Sequence, residues 1–374
     1  RKASVDGAIT FDGTNVFTQS NTDGYWCVIG TEEYKTDGAL PSAATAKINV
    51  TLSDAGLDRN GIYGNYGVAK INNAVYNTFA DALNAVQDGE TITVLDVEGS
   101  EVSTEIEFTK DIEFTITGTA PKYALPIVTF QNATVNISNA EILIPELDAR
   151  QEAIINVIDS KVYDAGGNSI AKSYYNGAIN NSGTSEVYMM QVTTMGYINI
   201  SGTAKLHATW QTNVYGNGLV TIKDNATFNT AALHLTAQDY SNRDNTDTER
   251  VGKPAEIVVD GANLTVGKVL SSNNADYSYN SSKGINIGTV DGKNAVLDIK
   301  NGANVNIFMA NGETANIGAG GTVNIDASTL KTICRGENGT VTLANNGSVV
   351  ATGASQLDVR NYSGKAIQIN NATL

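Results

Sequence analysis

Along the last two-thirds of the chain, apolar and polar positions alternate in one short phrase that returns nine times: apolar, any residue, apolar, a small polar corner, then another apolar residue. Its cores are Val135-Asn136-Ile137, Val157-Ile158 before Asp159-Ser160, Ile198-Asn199-Ile200, Val220-Thr221-Ile222, Ile257-Val258-Val259, Leu297-Asp298-Ile299, Val323-Asn324-Ile325, Val341-Thr342-Leu343 and Ile367-Gln368-Ile369. A period of two predicts strands with one face buried. Between the last core residues the gaps are 21, 42, 22, 37, 40, 26, 18 and 26. They group near one unit of about twenty residues or two such units. A repeat that short cannot bury its own apolar face, so neighbouring units stack and bury it for each other. The pattern predicts an all-β chain of stacked coils from residue 92 to 374.

Polar stretches accompany two of the near-double gaps, at 238–254 and 271–283, where insertions projecting from a coil are expected. The third double gap, 158 to 200, holds Ser173-Tyr174-Tyr175-Asn176-Gly177.

Residues 69–95 switch period. Ala69 to Tyr76 reads as a strand pair, and Thr78 is a candidate N-cap for the run Phe79 to Val86. Phe79, Leu83 and Val86 fall at i, i+4 and i+7, one helical face. Asp88-Gly89 ends that helix and turns into the first regular strand, Thr91 to Leu95. A short amphipathic helix at this point would cover the open end of the stack, which otherwise exposes apolar surface and unpaired edges. Residues 1–68 differ, with short strands broken by Gly-rich corners; they form either an N-terminal β-rich cap or the tail of a preceding module.

The opening phrase carries a resemblance. Ala69-Lys70-Ile71, Tyr76, Thr78-Phe79, Ala82-Leu83, Ala85 and Asp88-Gly89-Glu90-Thr91-Ile92-Thr93-Val94-Leu95 resemble the first unit of pectin-lyase-like right-handed β-helix proteins. Those are adhesin-like surface proteins of gut and other host-associated bacteria. The resemblance implies a right-handed parallel β-helix (a β-solenoid) with a short N-terminal capping helix, secreted or displayed at a bacterial cell surface. It implies no single activity, since one fold hosts many.

Composition narrows the partners. Charged residues make up 17% of the chain and the formal net charge is −15. A phosphate backbone needs a basic stripe, so nucleic acid is not an expected partner. No apolar run reaches about 18 residues, so membrane insertion is not expected either. The start at Arg1 is compatible with removal of an export signal. Cys27 and Cys334 would sit at opposite ends of a long solenoid, too far apart for a disulfide.

Candidate chemistry is sparse. Asp239, Arg243, Asp244, Asp247, Glu249 and Arg250 crowd the first insert, where a β-helix lyase or hydrolase would place its carboxylates and base. Asn-Thr-Asp occurs at 245–247 and at 21–23, without the Asp-Asp, Gly-His-Gly and Arg-Ile-Lys motifs of polygalacturonase-like enzymes. His207 and His234 lie 27 residues apart, near one coil's spacing, but no third metal ligand accompanies them. Asp58 to Gly61 echoes a calcium loop whose first and twelfth ligand positions are occupied by Gly56 and Gly67.

Aromatic residues are the better binding signal. Tyr174, Tyr175, Trp210, Tyr215, Tyr240, Tyr277 and Tyr279 lie in or near inserts, and rings stack on sugar faces or anchor proteins. With Asp239, Asp244 and Asp247 they make the candidate ligand-binding set. The reading that follows is a non-catalytic, adhesin-like rod offering lateral loops to a polysaccharide or a host surface protein. It expects no catalytic residue, metal or cofactor, and sets no oligomeric state. A carbohydrate-active enzyme, either lyase or glycoside hydrolase, and a structural spacer are the alternatives.

Overall fold

The computed structural model describes residues 68–236 apart from 73, 98, 166 and 167, then 250, 253–267 and separate strands up to residue 370. Of the first 67 residues it describes the parallel pair Ile9–Thr10 and Ile48–Asn49.

From residue 91 onward the described strands build a parallel β-solenoid, apart from one short antiparallel pair. Each coil contributes strands to three columns, and each column pairs in parallel with the same column of the next coil. In the first column Thr134 stands against both Glu113 and Ile154, Ile154 against Ala178, Ala178 against Tyr197, and Tyr197 against Leu219. The second column runs through Glu141, Lys161, Glu186, Lys205 and Thr227, and the third through Thr129, Asp148 and Lys172.

Two long gaps are single coils with insertions: Leu219 pairs directly with Glu256, and Glu256 with Val296. The gap from 158 to 200 is different. It contains a complete extra coil, whose first-column strand Ala178–Ser182 pairs with Ile154–Ile158 on one side and Tyr197–Ile200 on the other. The phrases at 341–343 and 367–369 also depart from expectation. Thr340–Ala344 and Gln368–Asn370 are third-column strands that pair with each other, and the last first-column strand among the described residues is Ser348–Thr352.

The inward residues of the first column, among them Val135, Ile137, Ile155, Val157, Ile198, Ile200, Val220 and Ile222, are buried. Each such side chain stabilises the coil by about 1.5–3 kcal/mol. Where the first column bends into the second, successive coils place Asn139, Asp159, Gly183, Gly202, Asp224, Gly261 and Asn301, all with φ between 47° and 70°. Only Gly, Asn and Asp adopt that left-handed backbone cheaply, which accounts for the small polar corner of the repeat. Outside the core, Asn199 Nδ2 donates to Asn180 Oδ1, Asn180 to Asn156 and Asn156 to Asn136, each at 2.8 Å. Asn136 in turn donates to Glu113 Oε1, so one amide ladder spans five coils. Asn136 and Asn199, both in glycosylation triplets, are thereby committed to the sheet.

The helix is Phe79–Ala85, with Thr78 Oγ1 accepting the Asp81 N–H at 3.0 Å. Phe79, Ala82, Leu83 and Val86 are buried, as the i, i+4, i+7 face requires. Both ends of the helix are tied to the first coil. The Phe79 N–H donates to Glu101 Oε1 at 2.7 Å, and Lys110 Nζ donates to the carbonyls of Asn84 and Val86 at 2.6 and 3.0 Å. A cation on the last carbonyls also suits the helix dipole. Before the helix, Ala69–Ile71 pairs antiparallel with Ala74–Tyr76 and with the first solenoid strand, Thr91–Val94.

Candidate functional site

The corner joining the third column to the first gathers three of the expected aromatics. Tyr174 and Tyr175 belong to one coil and Tyr215 to the coil two further on, all half-buried. What shapes this corner is a row of glycines. Gly177, Gly196 and Gly218 immediately precede Ala178, Tyr197 and Leu219, which are register partners in the first column. A Cβ on Gly196 would lie 2.5 Å from the Gly177 carbonyl oxygen, and one on Gly218 2.6 Å from that of Thr194. The backbones approach so closely that no side chain fits between them. Gly196→Ala is therefore expected to cost about 1–3 kcal/mol, read as a lower denaturant midpoint.

The outward face of the third column carries charge. Glu146, Asp148 and Arg150 alternate along the strand Glu146–Arg150. Asp148 is fully buried although it points outward. Arg150 binds it through Nε at 3.0 and 3.1 Å and through Nη2 at 2.6 Å, and Thr129 Oγ1 donates to it at 3.2 Å. The Asp148 hydrogen bond raises the guanidinium above its ordinary range. The Arg150 guanidinium also lies 5.7 Å from the ring centroid of Tyr174, so a cation occupies that face of the ring. One coil on, Lys172 stands in register with Asp148 and its Nζ contacts Glu146 Oε1. Burial, the largest influence, holds the Glu146 carboxyl above its usual range against the opposing pull of Lys172.

Further along the same face, Asn213 and His234 are register partners, and Thr236 follows at the corner beside Tyr215. Asn213 Nδ2 and Thr236 Oγ1 are buried and find no hydrogen-bond partner among the described residues. Buried polar atoms are nearly always paired, so both are exceptions.

On the second column, Tyr163, Tyr188 and His207 stack on successive coils with centroids 5.7 and 4.6 Å apart. His207 is fully buried; its Nδ1 meets Asn229 Nδ2 at 3.3 Å, and its Nε2 has no partner among the described residues. Burial pulls its pKa down from 6.5 to about 4. Glu186 below it is ion-paired with Lys205 at 2.5 Å, which lowers the Glu186 carboxyl. The two histidines do not meet as a pair, since His207 lies in the second column and His234 in the third.

Trp210 sits at the bend between the second and third columns, at the other end of the third column from Tyr215. Tyr277 lies in the strand Tyr277–Ser278 of a hairpin with Val269–Leu270. Asp239, Tyr240, Asp244, Asp247 and Tyr279 fall outside the described residues, as do Cys27 and the calcium-like loop at 58–61. The group missed by sequence reasoning is Glu146, Asp148, Arg150 and Lys172. Its signal was available: charges at every second position of a strand, with a lysine one coil further on.

Among the described residues no group of three or more His, Cys, Asp or Glu could hold a metal ion, and no helix is long and apolar enough to cross a membrane. No family model, curated protein or solved structure matches the chain. The molecular class is thus set by the fold, a parallel β-solenoid with a charged, aromatic lateral face.

Proposed function

We propose that this chain is a non-catalytic, adhesin-like right-handed β-helix, exported and displayed at a bacterial surface, that binds a glycan along its third column. Its helix at residues 79–85 closes the open end of the core. The observation that carries the reading is the corner that brings Tyr174, Tyr175 and Tyr215, all part-exposed, to one edge of the third column. The part-exposed rings of this corner supply what a polyhydroxylated ligand needs first, an apolar platform on which a sugar face stacks. The carboxylates of this face favour binding over hydrolysis. Asp148 is held by Arg150, and Glu146 by Lys172, so neither stands ready to move a proton to a substrate. A host surface protein is the second ligand class that such an aromatic corner serves.

The test is a polysaccharide and oligosaccharide binding panel read by immobilised-ligand interferometry, with host surface proteins alongside. The Tyr215→Ala chain is expected to lose about tenfold or more in affinity for whichever glycan binds, a usual cost for a buried aromatic anchor. The same panel, incubated with and without calcium, is scored for new reducing or unsaturated ends. Reproducible products would make the protein an enzyme and overturn the reading. Binding to proteins alone would shift the ligand class.

A further inference from the structure

The cluster on coils that meet at Glu146 and Lys172 has the make-up of a self-acylating site. We propose that Lys172 Nζ and the Glu146 carboxyl condense into an intramolecular amide that covalently joins two neighbouring coils.

Four observations place the reactants. The strands are in register, with Glu146 against Ile170 and Asp148 against Lys172, which sets the lysine one coil from both carboxylates. Lys172 Nζ and Glu146 Oε1 are already in contact, with the two side chains 22% and 12% exposed. Glu146 also has apolar neighbours in its own row, Ile170 on one coil and Ile127, just before Val128, on the other. Low polarity favours the uncharged acid, the form of a carboxyl that an amine attacks. Burial accordingly raises the Glu146 carboxyl above its ordinary range. Finally, Asp148 is fully buried beside them and is held by Arg150 and Thr129, which fixes a second carboxylate next to the reacting pair.

The chemistry balances without a cofactor. The Lys172 ammonium passes a proton to the Glu146 carboxylate it contacts, leaving a neutral amine whose lone pair attacks Cδ of the resulting acid. A C–N bond forms and a tetrahedral centre results. A second proton moves from nitrogen to the hydroxyl of that centre, and the C–O bond breaks to release water. Ammonium and carboxylate thus become amide plus water. Holding the groups in contact makes the step unimolecular, which substitutes for activation.

The experiment is an intact mass of the purified, denatured chain. The expected value is one water, about 18 Da, below the mass computed from the sequence. The Lys172→Arg chain, which keeps the ion pair but cannot acylate, is expected at full mass. Trypsin should release residues 123–150 and 162–205 as one branched peptide, uncleaved after Lys172, and fragmentation should put the branch at Glu146. That peptide comes from the unsubstituted chain, so the result does not depend on any variant folding. A full-mass chain with separate 123–150 and 162–172 peptides overturns the proposal. So does a missing water that persists in Lys172→Arg.

Discussion

Taking the protein from about pH 7 to about pH 4 will loosen the coils around His207, and a His207→Phe chain will not share that loss. Folded, the imidazole is fully buried and remains neutral down to about pH 4; freed by unfolding, it titrates at its ordinary 6.5. Between those values the unfolded chain binds a proton that the folded chain does not. Stability from this group is therefore whole above pH 6.5, declines as pH falls, and is gone at about pH 4. The span corresponds to about 3 kcal/mol. Neither neighbouring charge rescues the buried cation, because Glu186 attracts it while Lys205 repels it. Phenylalanine keeps a flat ring under Tyr188, so the stack survives and only the titration is removed. Hydrogen exchange across Lys205–Val214 is the direct reading, since a solenoid opens locally before it melts as a whole. Equal loss of protection in both chains at low pH would mean that carboxylates, not His207, carry the acid sensitivity.

The fold was legible because stacking forces a repeat, and its errors have local physical causes. The coil at 178–182, allowed for by the double gap, shows no repeat phrase of its own because its inward position holds Asn181, in register with Val157 and Ile200 of its neighbours. That asparagine is buried and donates to the Lys205 carbonyl at 2.9 Å, so a polar residue substitutes for the apolar signal. The phrases at 341–343 and 367–369 were assigned to the wrong column for the opposite reason. Third-column strands alternate just as first-column strands do, and alternation alone does not say which side of the coil a strand occupies. The helix was read to within a residue because Thr78, Phe79, Leu83 and Val86 each have one local job. The site was less legible. Tyr174, Tyr175 and Tyr215 were found as aromatics, but their sharing a corner follows from the glycine row. Asn213 and Thr236 become neighbours only through a parallel register that no sequence spacing displays.

Removing the Arg150 side chain will cost more than any surface ion pair should. Exposed pairs contribute about 0–1 kcal/mol, because water solvates the survivor when one partner goes. Asp148 has no such recourse, being fully buried and bound twice over by the guanidinium. Arg150→Ala leaves that carboxylate facing Thr129 alone, and the expected loss is about 3 kcal/mol, the low end for a broken buried pair because Arg150 itself reaches solvent. Denaturant unfolding measures it, with Lys172→Arg as the common background so that a covalent tie between coils does not enter the comparison. The decisive chain adds Asp148→Asn to Arg150→Ala. If an uncompensated charge is what destabilises the single variant, neutralising it should recover most of the loss even though a second hydrogen-bonding group has been altered. If the double variant is no better, the guanidinium contributes instead through its packing and its contact with Tyr174, 5.7 Å away. In that case the corner that presents Tyr174 and Tyr175 is held by Arg150 directly, and glycan binding should fall with Arg150→Ala in proportion.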